Sequence, residues 1–297
     1  MEPNAVDTAL AAPTAVRRLA AKHGFTFRRS LGQNFLIDGN ILRKIIQSAA
    51  ITKADTVIEV GAGIGTLTRA LGSTAGRVLS LEVDRRLEPI LQETVGDYDN
   101  VEIIWEDALK LDWPSFWKRQ GLSRAKFVAN LPYYITSPLL LNIFCECPFL
   151  ESITVMVQRE VGERFTAQPG TKTYGTLTVL AGYYSEVEIC HIVPPTVFMP
   201  PPDVESAVVK FTLRPYELEA VDPELLWTTV KAAFSQRRKT LANSLASSLK
   251  PSLSKAAVND ILQACGISPE QRAETLTVAD FVILSNHLAA VLPREGR

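Results

Sequence analysis

The strongest constraint on the fold is an alternation of short strand candidates with helix-length segments. Five runs rich in β-branched and aliphatic residues have this spacing: Thr56–Val60, Arg77–Val83, Val101–Trp105, Lys126–Asn130 and Ile153–Val157. Strands that alternate with helices form βαβ units, in which the strands are parallel and the helices cover both faces of the sheet. The pattern therefore predicts an α/β domain with a Rossmann-like, doubly wound, mostly parallel sheet.

The later part of the chain loses this alternation. The strand candidates Glu186–Val193 and Ser206–Leu213 are joined by a proline-rich stretch rather than by a helix, which predicts an antiparallel edge. The apolar spacing that follows is helical, and Gly266 is a suitable residue to end the middle helix. The predicted helices are Glu224–Leu249, Ala256–Cys265 and Val278–Val291.

Charge is distributed unevenly, although the formal net charge is only −1. The segment Arg17–Arg29 holds five basic residues and no acid, and Leu225–Asn259 holds six basic residues and no acid. Such segments could bind phosphates on either side of a central site for a neutral or cationic ligand. They could also be solvated helix faces, and charge alone favours this second interpretation.

The end of the strand candidates and the basic N-terminal segment together predict the domain organisation. We predict a basic N-terminal extension (1–30), an α/β domain (31–214) and a smaller all-helical domain (215–297).

Composition excludes several classes of protein. Hydrophobic residues make up 46% and charged residues 21% of the chain, as in a globular protein that buries a core. No apolar run approaches the roughly 18 residues that span a bilayer, and the N-terminal residues lack the apolar block of a signal peptide. The four cysteines form no C-x-x-C pair and there are three histidines, so neither a zinc site nor a disulfide scaffold is expected. We expect a cytoplasmic monomer with no metal and no membrane partner.

The first strand candidate runs into the glycine-rich turn Gly61-Ala62-Gly63-Ile64-Gly65. Glycines between a strand and a helix let a ligand approach the backbone closely at the carboxyl edge of the sheet. A dinucleotide-binding fingerprint would require glycine at the position of Thr66, which disfavours an NAD-dependent oxidoreductase. The spacing G-x-G-x-G after an acidic strand resembles instead the S-adenosylmethionine loop of class I methyltransferases.

Acidic residues follow the next two strand candidates. Glu82 lies 21 residues after Gly61, where a carboxylate can bind both ribose hydroxyls of a nucleoside. Asp107 follows the third strand, where a carboxylate can accept a hydrogen bond from an adenine amino group. Taken singly, Glu82 could be an exposed strand-end acid and Asp107 a helix cap, but three features at successive strand ends favour a nucleoside pocket.

The fourth strand candidate ends in Asn130-Leu131-Pro132-Tyr133. The amino nitrogen of adenine is a poor nucleophile because its lone pair is delocalised into the ring. If the Asn130 side-chain oxygen and the Leu131 carbonyl accepted its two N–H bonds, the lone pair would be freed to face a sulfonium methyl group. Tyr133 would offer a face on which a flipped-out base stacks, worth about 1–3 kcal/mol. A proline turn with a core tyrosine is the alternative, and the place of the segment after the fourth strand favours catalysis.

With these residues in place, the sequence resembles the rRNA adenine N6,N6-dimethyltransferase family, specifically the small-subunit enzymes that modify two adjacent adenosines near the 3′ end of 16S rRNA. The resemblance covers nearly the whole chain from about Arg17. Four further segments carry it: the opening motif Ser30–Leu36, Gln158–Val161, the proline-rich motif Phe198–Ser206 and the basic motif Phe234–Leu241. Ala62 stands where relatives commonly have proline, which should affect the stiffness of the glycine loop rather than the choice of cofactor.

The resemblance implies methyl transfer from S-adenosylmethionine, without a metal, to 16S rRNA within an immature 30S subunit. It implies that seven residues bind the cofactor: Asn34, Leu36, Gly61, Gly63, Glu82, Asp107 and Asn130. It also implies a catalytic set in which two aromatic rings sandwich the target adenine: Asn130, Leu131, Pro132, Tyr133 and Phe198. A basic run in the helical domain would bind RNA phosphates: Arg237, Arg238 and Lys239.

Two alternative functions stay open. The 23S rRNA dimethyltransferases that confer macrolide resistance have a similar opening motif, glycine loop and Asn-x-Pro-Tyr segment, but the motif Gln236–Thr240 and the length of the C-terminal part favour the 16S enzymes. A non-catalytic ribosome-assembly factor could retain the same fold. Such a binder has no need to orient an amino lone pair, so the intact segment Asn130–Tyr133 argues against it.

Overall fold

The structure is a computed structural model that describes residues 5–27, 32–147, 149–249 and 252–292. Within these ranges, no helix has both the length and the apolar character needed to cross a membrane. The same ranges contain no cluster of three or more histidine, cysteine or carboxylate side chains that could hold a metal ion. Six residues of the predicted motifs and basic segments lie outside the described residues: Arg28, Arg29, Ser30, Leu31, Lys250 and Pro251.

A seven-stranded sheet forms the centre of the α/β part. Numbered along the chain and given in spatial order, its strands are β4 (Val101–Ile104), β3 (Arg77–Leu81), β2 (Thr56–Val60), β5 (Ala125–Asn130), β6 (Leu150–Gln158), β9 (Ser206–Leu213) and β7 (Ser185–Val193). The first five are parallel to their neighbours, and β9 runs antiparallel to β6. The predicted mixed, mostly parallel sheet is therefore confirmed.

The helix α2 (Gly39–Ser48) precedes β2, and α7 (Arg159–Phe165) follows β6. The parallel strands are connected by α3 (Thr66–Thr74), α4 (Glu88–Val95), α5 (Trp113–Gln120) and α6 (Thr136–Glu146). Both faces of the central strands are buried. The start of α2 shows how the sequence sets such a boundary. The Asp38 carboxylate accepts hydrogen bonds from the amides of Asn40 and Ile41, and the apolar face of the helix is buried from its first turn.

A second, two-stranded sheet was not predicted. It pairs β1 (Phe35–Leu36) with β8 (Phe198–Met199) in antiparallel register. The Ile37 amide extends the pairing by donating to the Val197 carbonyl at 2.8 Å. Two-residue strands leave no periodic pattern in a sequence, because only the long-range partner defines them. This small sheet holds the opening loop, residues 32–36, against the proline-rich segment.

The N-terminal residues are not a separate extension as predicted for 1–30. Met1–Gly162 and Val187–Leu213 form one compact unit. The helix α1 (Pro13–Lys22) and its flanks contribute buried apolar side chains to this unit: Leu10, Val16, Leu19 and Phe25. The Asp7 carboxylate accepts hydrogen bonds from the Arg69 guanidinium at 2.6 and 3.1 Å and from the Tyr98 hydroxyl.

The second compact unit is Glu163–Glu186 together with Arg214–Arg297. The predicted helical domain 215–297 therefore left out the segment Glu163–Glu186. The earlier segment belongs here because its helix α8 (Thr176–Tyr184) and Tyr174 share a hydrophobic core with the C-terminal helices. The Tyr174 hydroxyl also donates to the Leu276 carbonyl at 2.7 Å. The remaining helices are α9 (Pro223–Phe234), α10 (Leu241–Ser248), α11 (Lys255–Ala264) and α12 (Val278–Val291).

The predicted single helix Glu224–Leu249 was wrong, because the structure breaks it into α9 and α10. Thr240 has extended backbone angles, and its hydroxyl accepts a hydrogen bond from the Asn243 amide, which begins a new helix. At the end of α9, the Ser235 hydroxyl donates to the Ala232 carbonyl at 2.7 Å. The break places the basic run between two helices rather than on one helix face.

The Asp7 contacts predict that the N-terminal segment stabilises the first unit. Asp7→Ala should lower the free energy of unfolding by about 2 kcal/mol, because it removes charge-assisted hydrogen bonds. Asp97→Ala is the matched control, since Asp97 lies 3.5 Å from the same guanidinium but is 68% exposed, and it should cost less than about 0.5 kcal/mol. Urea unfolding of the three proteins measures the difference, and equal losses in the two variants would contradict the assignment.

The effect of Asp7 should also depend on pH. Burial alone would raise the pKa of its carboxyl, but hydrogen bonds from Tyr98, the Ala9 amide and Arg69 outweigh burial and hold the pKa below its usual value. The stabilisation is then fully present above the pKa of the unfolded chain and is lost as the pH falls through the lower, folded pKa. The unfolding free energies of the unsubstituted protein and Asp7→Ala should therefore converge in acid.

Candidate active site

A cavity of about 320 Å³ opens in the first unit at the carboxyl ends of β2, β3 and β5, where doubly wound sheets bind ligands. The structure brings all seven predicted cofactor residues to its walls, together with three further residues of the predicted catalytic set. These lining residues are Asn34, Leu36, Gly61, Gly63, Glu82, Asp107, Asn130, Leu131, Pro132 and Tyr133. Residues far apart in the chain thus meet at one site.

The glycine loop between β2 and α3 forms the floor of the cavity. Gly63 has φ 59°, a left-handed conformation that side chains rarely adopt, and a Cβ there would lie 2.8 Å from the Phe35 ring. The amide of Gly61 donates to the Leu81 carbonyl at the end of β3, at 2.8 Å. Backbone conformation and close packing therefore both require glycine at position 63, and the loop presents bare main chain to a ligand.

Glu82 follows β3 and holds the glycine loop in place. Its carboxylate accepts hydrogen bonds from three backbone amides, those of Gly63, Val83 and Asp84, each at 2.9 Å. Burial raises the pKa of this carboxyl, and the three amides oppose the rise. A carboxylate has about four acceptor positions, so one remains for a ligand hydroxyl.

A second carboxyl lies beneath this layer. Glu59 in β2 is fully buried, and its Oε2 accepts hydrogen bonds from the Thr68 hydroxyl at 2.7 Å and the Ser80 hydroxyl at 2.6 Å. In the described part of the chain, no donor reaches its Oε1. Burial raises the pKa of Glu59 to about 7, the two hydroxyls oppose the rise, and the nearby Glu82 carboxylate adds to it.

Asp107 follows β4, and its two carboxylate oxygens have different surroundings. Its Oδ1 accepts a hydrogen bond from the Leu109 amide at 3.0 Å, so the side chain does cap a turn. Its Oδ2 lies 3.7 Å from the Lys110 ammonium, and the side chain is about one-third exposed at the cavity wall. One oxygen therefore shapes the turn, while the other can accept a hydrogen bond from a ligand.

Asn130 ends β5, and a single contact fixes the orientation of its side-chain amide. Its Nδ2 donates to the main-chain carbonyl of Asn34 at 3.2 Å. A carbonyl oxygen can only accept, so the nitrogen must be the atom that faces it. The opposite atom, Oδ1, is then left as an acceptor, and no described residue donates to it. The geometry offers an acceptor at the position where the predicted hydrogen bond from an adenine amino group needs one.

The opening loop that supplies this carbonyl is fixed on both sides. One side is held by the pairing of Leu36 with Phe198 in the small sheet. The other side is held by Gln33, whose Nε2 donates to the Asp84 carboxylate at 3.0 Å. Neither Gln33 nor Asp84 was predicted as a site residue, although Gln33 lies in the opening motif and Asp84 follows Glu82 by two residues.

The rest of the Asn130–Tyr133 segment forms a tight turn at the cavity edge. The Leu131 amide donates to the Met156 carbonyl of β6 at 3.3 Å, and the Pro132 carbonyl accepts from the Ile135 amide at 3.1 Å. The Tyr133 ring is half-buried, and its hydroxyl lies 2.7 Å from the Ser206 hydroxyl. Burial raises the pKa of the Tyr133 phenol, so this group stays protonated at neutral pH.

Phe198 is the one predicted catalytic residue that does not line the cavity. Its side chain is 3% exposed and packs in a hydrophobic cluster with Leu36 and Val208. A ring in this position cannot sandwich a base against Tyr133 unless it leaves the cluster. The stacking role of Phe198 stays a prediction that this arrangement does not support. In the sequence Phe198 is an aromatic residue in a proline-rich loop, and the pairing with β1 that buries its ring cannot be seen there.

The predicted RNA-binding run lies between α9 and α10 in the second unit. Arg237 is exposed, but its guanidinium donates to the carbonyls of Lys172 at 2.7 Å and Tyr174 at 3.1 Å. This residue therefore ties a loop of the first segment of the unit to the basic run. Arg238 and Lys239 are exposed side chains. The sequence did not distinguish these roles, because all three residues have the same charge.

The charge of the cavity wall restricts the ligand. Its charged lining residues, within the described ranges, are all acidic: Glu82, Glu106 and Asp107. No lysine, arginine or histidine is among the described lining residues. Apolar side chains complete the wall, among them Ile64 and Leu81. The arrangement suits a nucleoside that carries a positive charge.

Residues 24–289 match the family model described as ribosomal RNA adenine dimethylase, which is most of the chain. The chain belongs to the ribosomal RNA adenine dimethylase family. This dimethylase is 45% identical to the ribosomal RNA small subunit methyltransferase A of Geobacillus thermodenitrificans, over 94% of this chain and 97% of that protein. The family resemblance and the enzyme class predicted from the sequence, an rRNA adenine N6-dimethyltransferase, are confirmed.

Two solved structures have the same fold. A dimethyladenosine transferase from Plasmodium falciparum matches the dimethylase with a TM-score of 0.71 and 27% identity, over 84% of this chain and 95% of that one. The 23S rRNA methyltransferase ErmE matches with a TM-score of 0.62 and 27% identity, over 86% of this chain and all of that one. The predicted class I methyltransferase fold is therefore confirmed.

The buried Glu59 predicts a pH dependence of stability for the dimethylase. Its folded pKa of about 7 lies above that of the unfolded chain, so the folded state binds the proton more tightly and loses stability as the pH rises from about 4.5 to 7. The loss is about 3 kcal/mol. Glu59→Gln keeps an acceptor for Thr68 and Ser80 but cannot ionise.

Unfolding free energies of the two proteins at pH 5 and pH 8 provide the test. Relative to the parent, Glu59→Gln should be more stable at pH 8 than at pH 5 by about 3 kcal/mol. The same difference at both pH values would mean that Glu59 does not change its charge in this range.

Proposed function

We propose that the protein transfers methyl groups from S-adenosylmethionine to the exocyclic amino groups of two adjacent adenosines near the 3′ end of 16S rRNA, giving N6,N6-dimethyladenosines during small-subunit assembly. The observation that carries the proposal is the fixed orientation of the Asn130 amide, whose Nδ2 is engaged by the Asn34 carbonyl. Membership of the dimethylase family and the name of the Geobacillus relative support the choice of substrate.

The lining residues fit S-adenosylmethionine. When bound, this cofactor supplies a methyl group on a positively charged sulfur. Glu82 would accept a hydrogen bond from a ribose hydroxyl, and Asp107 would accept one from the adenine amino group of the cofactor. The glycine loop leaves main chain against the ligand, and Asn34 and Leu36 cover it from the opening loop. The absence of cationic side chains among the described lining residues favours a sulfonium compound over a nucleoside phosphate.

The target adenosine binds at the Asn130 end of the cavity. Asn130 Oδ1 and the Leu131 carbonyl accept the two N–H bonds of its amino group, which draws the nitrogen towards tetrahedral geometry and frees its lone pair. Tyr133 stacks on the flipped-out base and holds it in line with the methyl group. Orientation and hydrogen bonding then carry the reaction, and no general base is needed to create the nucleophile.

The substrate RNA contacts the second unit as well. Arg238 and Lys239 are the exposed members of the basic run, and we assign them to phosphate contacts, which position RNA without reading its sequence. Arg237 contributes by holding the loop around Lys172. We further propose that the enzyme acts as a cytoplasmic monomer on an immature 30S subunit.

A direct assay distinguishes 16S rRNA from the competing substrate, 23S rRNA. Immature 30S particles and 23S rRNA are each incubated with the protein and isotopically labelled S-adenosylmethionine, and dimethyladenosine is located by mass spectrometry. The proposal predicts two adjacent labelled adenosines near the 3′ end of 16S rRNA. Label confined to 23S rRNA would replace the proposal with the macrolide-resistance activity, and binding without label would leave a non-catalytic assembly factor.

Asn130→Ala should abolish methyl transfer, because the amino group loses the acceptor that frees its lone pair. We expect the single-turnover rate constant to fall by about 10³-fold. RNA affinity should stay within a few fold. Asn100→Ala is the matched control, since the Asn100 side chain also donates to backbone carbonyls, those of Gly72 and Ala75, away from the cavity. Single-turnover methylation and filter binding measure the two effects. A normal rate for Asn130→Ala would remove Asn130 from the mechanism.

The double substitution of Arg238 and Lys239 to Ala should weaken RNA binding and reduce the salt dependence of the binding constant. Each lost phosphate contact lowers the slope of log K against log salt by about 0.7 to 0.9, so the double variant should lose about 1.5. Affinity for S-adenosylmethionine should not change. Lys255→Ala serves as the control, because Lys255 is an exposed basic residue of the same unit. An unchanged slope in the double variant would contradict the assignment.

A further inference from the structure

The serine that closes the proline-rich motif has no role in the mechanism described so far. Ser206 is the first residue of β9 and is fully buried. Its hydroxyl lies 2.7 Å from the hydroxyl of Tyr133, the residue assigned to stacking. A buried serine hydroxyl requires a hydrogen-bond partner, and here that partner comes from the cavity edge.

We propose that Ser206 is a positioning residue, which anchors the tip of the Tyr133 ring and so sets the plane on which the target base stacks. The inference rests on the proposed function, because it assumes that Tyr133 is the stacking surface. Ser206 does not contact the base itself. It acts through the tyrosine.

The support for the Ser206 hydroxyl is rigid. Ser206 pairs with Gln158 at one end of the antiparallel ladder between β6 and β9. Beyond the ladder, the two segments that carry β6 and β9 are joined again, since the Arg159 amide donates to the Glu205 carbonyl at 2.9 Å. The hydroxyl therefore sits on backbone that is fixed by hydrogen bonds on both sides.

The tyrosine needs such an anchor because its own backbone lies in a turn. A tyrosine side chain rotates about two bonds, and the second of these has a broad torsional preference. The hydroxyl lies on the long axis of the ring, so holding it at 2.7 Å from Ser206 fixes the direction of that axis. The ring is then attached at one end to the turn after β5 and at the other end to β9. A base that stacks on it meets a surface already in place, so less freedom is lost on binding.

The test compares Ser206→Ala, Tyr133→Phe and the double variant in single-turnover methylation of immature 30S particles with labelled S-adenosylmethionine. Each single substitution removes the same hydrogen bond from one side while keeping the ring. Each should lower the single-turnover rate constant about fivefold. The double variant should be no slower than either single variant, because there is only one bond to lose. Affinity for S-adenosylmethionine should be unchanged in all three.

Ser152→Ala is the matched control, since Ser152 is a buried serine at the opposite end of the same strand pair, facing Thr212. Any loss of thermal stability from deleting a buried hydroxyl should appear in both serine variants, whereas the loss of rate should appear only in Ser206→Ala. If Ser206→Ala does not fold, Tyr133→Phe still tests the bond, because it removes the same contact without changing β9.

The outcomes separate this inference from the proposed function. Normal rates for Ser206→Ala and Tyr133→Phe, with an inactive Tyr133→Ala, would overturn the positioning role and leave the stacking role intact. Additive losses in the double variant would also overturn it, since the two hydroxyls would then act independently. A normal rate for Tyr133→Ala would overturn the stacking role itself, and the positioning role with it.

Discussion

The hydrogen bond from Asn130 Nδ2 to the Asn34 carbonyl is the interaction on which the proposed chemistry of the site depends. A side-chain amide can rotate by half a turn and exchange its oxygen for its nitrogen, which would present donors to an amino group that itself needs acceptors. In the reversed orientation Oδ1 would face another carbonyl oxygen, and the lost hydrogen bond would cost about 1–3 kcal/mol. The main chain of the opening loop therefore selects the orientation in which the amide accepts.

The same loop joins the two halves of the site. Gln33 contacts the Asp84 carboxylate, and Asp84 donates its amide to Glu82, which in turn accepts from the Gly63 amide. The wall assigned to the cofactor and the acceptor assigned to the target adenine thus belong to one hydrogen-bond network. The charged side chains of the described cavity lining are Glu82, Glu106 and Asp107, and the proposed ligand carries the opposite charge.

Local sequence pattern was sufficient where neighbouring residues along the chain decide the structure. The bounds of β2 and β9 match the prediction residue for residue, because their apolar β-branched runs end abruptly. Gly61, Glu82, Asp107 and Asn130 could be placed together from the sequence because parallel strands end at the same edge of a sheet, whereas the family resemblance alone pointed to Asn34 and Leu36. Pattern failed where a distant partner decides. Phe198 is buried by pairing with Leu36, and Arg237 is held by a carbonyl 65 residues away, and no periodicity carries such information.

The most direct measurement is a crystal structure of the protein with an unreactive S-adenosylmethionine analogue and an RNA that carries the target adenosine. The account predicts that Asn130 Oδ1 lies about 3 Å from the adenine amino nitrogen, while Nδ2 still donates to the Asn34 carbonyl. A complex in which the base contacts Nδ2, or in which the Asn130 amide turns away from the base, would contradict it.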